Sequence, residues 1–159
     1  MTRLPKLGPR GEGWVVIQAA FLAAILAGGL LTGPDWSYGQ ATGLKAAGGV
    51  LIAGGVTVGA LGIRALRRAM TGSLLAERTS RLVQDGIYGA IRHPIYAGQI
   101  LVALGWSLLR SSFAALVLGL MYAVFLDLKG RREEAVISER FSGYADYARR
   151  VRRFVPGVY

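Results

Sequence analysis

Four stretches of this chain contain no Asp, Glu, Lys or Arg: Trp14 to Leu31, Ala46 to Ile63, Ile95 to Leu109 and Ser112 to Leu126. An uncharged apolar run of such length has to be buried, in protein or in lipid, and nothing else in the sequence restricts the fold so severely. The first two stretches are 18 residues long and the last two 15. At 1.5 Å rise per residue, an 18-residue helix reaches about 27 Å, close to the hydrocarbon thickness of a bilayer. Pro94 suits the first turn of the third helix, and Tyr96, Trp106 and Tyr122 are interfacial residue types that extend the shorter spans. A soluble bundle would need polar sequence to coat it. The chain is 53% hydrophobic over 159 residues, with mean hydropathy +0.42, and lacks that coat. The expectation is an all-α integral membrane protein, one domain over 1–159, with four transmembrane helices at about 14–31, 46–63, 95–109 and 112–126.

The charges orient those helices. Of the 19 Lys and Arg residues, 17 fall before the first span, between the second and third, or after the fourth; Lys45 and Arg110 alone fall on the other side. The positive-inside rule then puts both termini in the cytoplasm, in a multi-pass protein of the cell membrane. The net charge of +10 therefore marks a membrane face, and no nucleic-acid partner is expected. Arg3, Lys6 and Arg10 precede the first span as in a signal peptide, but its apolar core is too long and three more spans follow, so it reads as a retained helix. The N-terminal stretch with Pro5, Gly8, Pro9 and Gly11 reads as mobile. Gly55 and Gly59 form a GxxxG pair that favours close helix packing within the bundle over dimerisation. Cysteine is absent, which excludes disulfides, thiolate metal sites and a cysteine nucleophile; no metal-ligand cluster is visible.

Two segments facing the cytoplasm carry the chemistry. The first ends "RLVQDGIYGAIRHPIY" and holds the only histidine, His93; His93, Tyr96, Gln99 and Ile100 are spaced to share one helical face. The second begins "LDLKGRREEAVISERFSGYADYARRVRRFVP". Asp127, Arg131 and Glu134 share one face of a continuing helix and Lys129 and Glu133 another; the helix breaks near Ser142-Gly143, and "YADYARRVRR" then reads as a basic amphipathic interfacial helix ended by Pro156. An antiparallel hairpin brings His93, Tyr96, Glu133 and Glu134 to one depth.

These two segments resemble the isoprenylcysteine carboxyl methyltransferase family, and the related phospholipid methyltransferases share the paired glutamates. Those are integral membrane enzymes that use S-adenosylmethionine. The resemblance covers about Leu82 to Pro156. It implies donor-site motifs at 82–96 and 129–134, with Leu82, Val83, Tyr88, His93, Pro94, Ile95 and Tyr96 on the methyl donor. Glu133 and Glu134 would close the donor site or touch the acceptor. An arginine that often stands four residues before the first glutamate is Lys129 here, which keeps the charge without the bidentate fork; Arg131 and Arg132 are near it. The expected chemistry agrees. Glutamates offset the cations of S-adenosylmethionine, Arg92, His93 and tyrosine hydroxyls suit its carboxylate or ribose, and Leu82, Val83 and Tyr88 suit its adenine. A carboxylate acceptor needs no base, whereas an amine, phenol or thiol needs His93 or a glutamate. The catalytic candidates are His93, Glu133, Lys129 and Arg131.

The partners expected are the bilayer and a lipophilic small molecule or lipid acceptor: a prenylcysteine-like carboxylate, a lipid amine, an alkylated phenol or a thiol. Two alternatives are an NADPH-dependent membrane reductase of related fold, disfavoured by the shortness of the chain, and a non-catalytic protein that binds lipid or a partner through its basic tail.

Overall fold

The computed structural model describes residues 7, 11–32, 34–36, 38–69 and 82–159. Arg3, Lys6, Arg10, Arg78 and Arg81, and the N-terminal Pro5, Gly8 and Pro9, lie outside the described residues. Among the described residues there are five α-helices: α1 (Glu12–Leu31), α2 (Tyr38–Ala69), α3 (Pro94–Arg110), α4 (Phe113–Arg140) and α5 (Tyr144–Arg150). A single 3-10 turn covers Gly86–Gly89. These residues form no strand, only an isolated parallel bridge between Ile91 and Arg152.

Three of the described helices are long and apolar enough to cross a membrane: Glu12–Leu31, Thr42–Ala69 and Phe113–Arg140. The helix α3 has 17 residues, a reach of about 26 Å at 1.5 Å per residue. Large apolar side chains point outward around the bundle, with Leu31 84%, Val50 72% and Val124 63% exposed. In water such a surface would drive association, and in lipid it is the expected exterior, so the fold is that of a membrane protein.

Glycines let α2 lie backbone to backbone against α3. A Cβ on Gly55 would stand 2.6 Å from the Gly98 carbonyl oxygen, and one on Gly98 would stand 2.5 Å from the Gly55 carbonyl and 2.8 Å from the Gly59 nitrogen. Gly48 and Gly105 repeat the arrangement at 2.6 and 2.7 Å. Of the GxxxG pair, Gly55 is the residue whose missing side chain this approach requires; a Cβ on Gly59 would meet nothing within 4 Å. Because the neighbour is backbone and cannot rotate away, Gly98→Ala should cost about 1–3 kcal/mol or more. Thermal melting in detergent measures it, and an unchanged midpoint would mean that the two helices separate freely.

The α3–α4 hairpin closes in two residues. Ser111 takes the left-handed conformation, φ 54°, and Ser112 caps α4 by accepting from the Ala115 amide at 3.1 Å. Asp35 accepts from the Phe113 amide at 2.6 Å and Thr32 shares a hydroxyl contact with Ser112 at 2.7 Å, which ties the end of α1 to this hairpin. Towards the other end, Trp14 of α1 stacks on Phe125 of α4 at 5.6 Å between ring centres, and Phe21 packs tilted against the same ring at 5.4 Å. The chain breaks after Arg140, as expected, but α5 ends at Arg150 instead of running on to Pro156. The reason is competition for backbone partners. The Arg152 carbonyl accepts from the Arg92 amide at 2.8 Å and the Arg153 carbonyl from the His93 amide at 3.1 Å, so this segment leaves the helix to strap the start of α3.

Candidate active site at one end of the bundle

Pro94 at the first position of α3 fixes where that helix begins, and His93 immediately before it is the N-cap residue. The third position of α3 is Tyr96, whose ring stacks on the His93 imidazole at 5.4 Å and 5°. The long α4 runs antiparallel past this point. Its Gly130 leaves space beside His93: a Cβ there would stand 3.5 Å from Nε2. One turn further on, Glu133 accepts from the Tyr96 hydroxyl at 2.5 Å, and Glu134 accepts from His93 Nε2 at 3.0 Å. A carboxylate only accepts, so Nε2 is the donor in this pair, and in the neutral ring Nδ1 carries the lone pair.

Glu133 and Glu134 point to different tasks. A cavity of about 720 Å³ opens between the starts of α1 and α3, the end of α2, the second half of α4, and α5. Among the described residues that line it, Glu133 is the one carboxylate, beside Lys129, Arg132 and Arg140. Trp14, Val15, Leu66, Leu82, Val83 and Ile95 give apolar wall, and Tyr88, Tyr96, Tyr144, Tyr147 and Phe141 give aromatic wall. Glu134 does not line the cavity. It sits behind His93 and receives both guanidiniums, Arg92 at 3.1 Å and Arg153 at 3.0 and 2.9 Å.

Lys129 has an 8% exposed residue surface and lies 5.2 Å from the Tyr96 ring centre. Its ammonium donates to Gln18 Oε1 at 2.5 Å; Gln18 in turn donates to Gln99 at 2.8 Å, and Tyr122 donates to Gln99 at 2.7 Å. A string of polar groups thus runs from the cavity into the apolar bundle, satisfied within itself as buried polar groups must be. Burial, and then the charge of Glu133, push the Tyr88 phenol up to about 12, and burial likewise raises Tyr144 and Tyr147. These hydroxyls are donors at neutral pH. The Tyr147 hydroxyl donates to the Tyr88 carbonyl at 2.7 Å, closing α5 over the 3-10 turn.

Of the residues that the sequence singled out, Leu82, Val83, Tyr88, Arg92, His93, Ile95, Tyr96, Lys129 and Glu133 line the cavity together. Pro94 is buried at the helix start beside it. Arg131 is outside: it pairs with Asp127 at 2.7 Å and with the Tyr159 hydroxyl at 2.9 Å on an exposed face. Sequence reasoning did not single out Trp14, Gln18, Arg140, Tyr144, Tyr147, Arg153 or Phe154. Only Gln18 carried a visible signal, as the one strongly polar residue of the first span. Among the described residues no three His, Cys, Asp or Glu gather as a metal site.

Residues 44–143 match the family described as phospholipid methyltransferase. The cobalt-zinc-cadmium resistance protein CzcN of Cupriavidus metallidurans is 34% identical over 80 residues, covering 50% of this chain and 37% of that protein. The nickel-cobalt-cadmium resistance protein NccN of Alcaligenes xylosoxydans xylosoxydans is 31% identical over 108 residues, covering 64% of this chain and 49% of that protein. The chain therefore spans about half or less of the length of these relatives. No solved structure matches it.

Proposed function

The chain belongs to the phospholipid methyltransferase family, and from that premise we propose that it methylates a lipophilic acceptor with S-adenosylmethionine at the cytoplasmic boundary of the membrane. The observation that carries the reading is the cavity: both motif segments line it, and Glu133, the one carboxylate among its described lining residues, stands among cations and aromatic rings. A volume of about 720 Å³ lies in the range of about 300–1,000 Å³ typical of small-molecule sites.

The residues present suit the donor. Glu133 offsets positive charge, Lys129, Arg132 and Arg140 offer positive charge to a carboxylate, and the tyrosine rings give a flat wall. S-adenosylmethionine supplies a methyl group already activated on a sulfonium, so the protein's task is to hold the acceptor atom in line with it. Tyr96 fixes the Glu133 carboxylate at 2.5 Å, which keeps that charge aimed at one place. For an amine, phenol or thiol acceptor, Glu133 or the Nδ1 lone pair of His93 takes the proton; for a carboxylate acceptor neither is needed.

In this reading α3 crosses the membrane with the other three long helices, both termini lie in the cytoplasm, and the cavity end of the bundle faces inward. The distribution of 17 basic residues against two supports that orientation. The acceptor reaches the cavity from the bilayer and the polar donor from water. Calorimetric titration of the purified protein with S-adenosylmethionine and with NADPH tests the donor. Methylation of a lipid extract with radiolabelled donor tests the acceptor. Binding of NADPH alone would replace this reading with a reductase.

A further inference from the structure

We propose that Arg153, on the segment that follows α5, is a positioning residue for methyl transfer: it acts through Glu134 to hold the imidazole of His93 at the cavity wall. The proposal deepens the methyltransferase reading and rests on it.

The side chains involved are nearly closed to solvent: His93 is 9% exposed, Arg92 11%, Glu134 13% and Arg153 14%. Arg153 grips both oxygens of Glu134, Nε to Oε1 at 3.0 Å and Nη2 to Oε2 at 2.9 Å. A two-point grip fixes the plane of a carboxylate as well as its position. Arg92 reaches the same oxygens less evenly, at 3.1 and 3.4 Å. His93 bonds to Oε1 alone, at 3.0 Å. Without Arg153 the carboxylate is left to the longer and less even contacts of Arg92, and Oε1 is held less firmly opposite Nε2.

Arg153 is itself well located for this task. Its Nη1 donates to Asp127 at 2.5 Å, and its carbonyl accepts from the His93 amide at 3.1 Å. The next residue, Phe154, lies against the imidazole at 6.0 Å between ring centres, while Tyr96 stacks on it at 5.4 Å. One residue therefore holds His93 through its backbone and, by way of Glu134, through its side chain. A carboxylate bonded to one ring nitrogen sets which nitrogen carries the proton and how the ring is turned. The segment sets the Nδ1 lone pair toward its task without touching a substrate.

The competing role is that of a simple anchor for the C-terminal segment. Asp127→Asn separates the two, because it weakens that anchor and leaves the Arg153–Glu134 contact in place. His93 is the only histidine, so two-bond proton–nitrogen correlation of the nitrogen-15-labelled protein reports one imidazole and its tautomer. Wild type should show the proton on Nε2. Arg153→Gln should mix the tautomers and lower turnover about 10-fold to 100-fold, as small misplacements of reacting groups do. Arg153→Lys, which keeps the charge with one contact, should fall between, and Asp127→Asn should match wild type in both readouts. Equal effects of Asp127→Asn and Arg153→Gln would overturn the proposal, as would an unchanged imidazole in Arg153→Gln. If Arg153→Gln does not assemble, Arg153→Lys decides; failure of both to assemble would make Arg153 a folding residue and also overturn it. The imidazole readout needs neither donor nor acceptor. A wild-type protein that binds no S-adenosylmethionine would end the methyltransferase reading while the spectrum reported separately on the positioning.

Discussion

Replacing Glu134 with alanine is expected to cost about 3–5 kcal/mol, the usual loss when one partner is removed from a buried ion pair. The carboxylate joins three elements: Arg92 and His93 at the entry to α3, α4 itself, and Arg153 on the strap after α5. Without it, two guanidiniums and an imidazole face one another with no anion between them. Both guanidiniums keep other partners, since Arg92 donates to the Ala148 and Val151 carbonyls at 2.6 and 3.1 Å and Arg153 to Asp127. The loss should therefore lie at the lower end of the range. At about 2–4 °C per kcal/mol for a chain of this size, 3 kcal/mol lowers the melting midpoint by roughly 6–12 °C. The strap should also become cleavable, because its basic residues leave the surface that protects them. Glu139→Ala, on an exposed part of α4, should change the midpoint little, as exposed substitutions usually stay within about 0.5 kcal/mol. If Glu134→Ala melted with the wild type and only donor affinity fell, the residue would belong to the ligand, as the family resemblance implies.

The helices were legible because lipid leaves the chain few choices. The charge-free run Ile95–Leu109 reappears as Pro94–Arg110, and the run from Ser112 begins α4 one residue later. The convergence of Tyr96 with Glu133 and of His93 with Glu134 followed from a short hairpin between two antiparallel helices. That the two glutamates take different faces was legible, Glu134 with Asp127 and Arg131 and Glu133 with Lys129; what each face meets was not. Adjacent helical residues point about 100° apart, and nothing in the sequence says which direction meets a cavity and which meets a strap. Lys129 and Gln18, bonded across 111 positions, give no local pattern either. The tail misled in one respect. Its basic, aromatic composition reads as a helix to Pro156, yet α5 stops at Arg150 because the amides of Arg92 and His93 offer Arg152 and Arg153 backbone partners from a distant part of the chain. Propensity yields to such pairing whenever it also satisfies buried groups.

Glu133→Gln should lower turnover about 100-fold or more while leaving the fold intact. The substitution keeps the shape of the side chain and an oxygen for the Tyr96 hydroxyl, and removes only the charge. That charge is the single negative one among the described lining residues, in company with Lys129, Arg132 and Arg140. In a site shielded from water an aimed charge is worth far more than in solution, and losing one such group typically costs about 10²–10³ in rate. Stability should change little, because Glu133 makes no guanidinium clamp of the kind that surrounds Glu134. The size of the loss also discriminates between acceptors. An amine, phenol or thiol gives up a proton as it is methylated, so loss of Glu133 as base adds to loss of its charge, by about 10²–10⁴ for a general base. A carboxylate acceptor gives up none and should suffer the electrostatic loss alone. Measuring turnover of Glu133→Gln with lipid amines and with prenylated carboxylates side by side, against donor affinity from calorimetry, therefore reads out the acceptor class from one substitution. Wild-type turnover with every acceptor, at wild-type donor affinity, would remove Glu133 from the chemistry and leave it as the partner of Tyr96 in the wall.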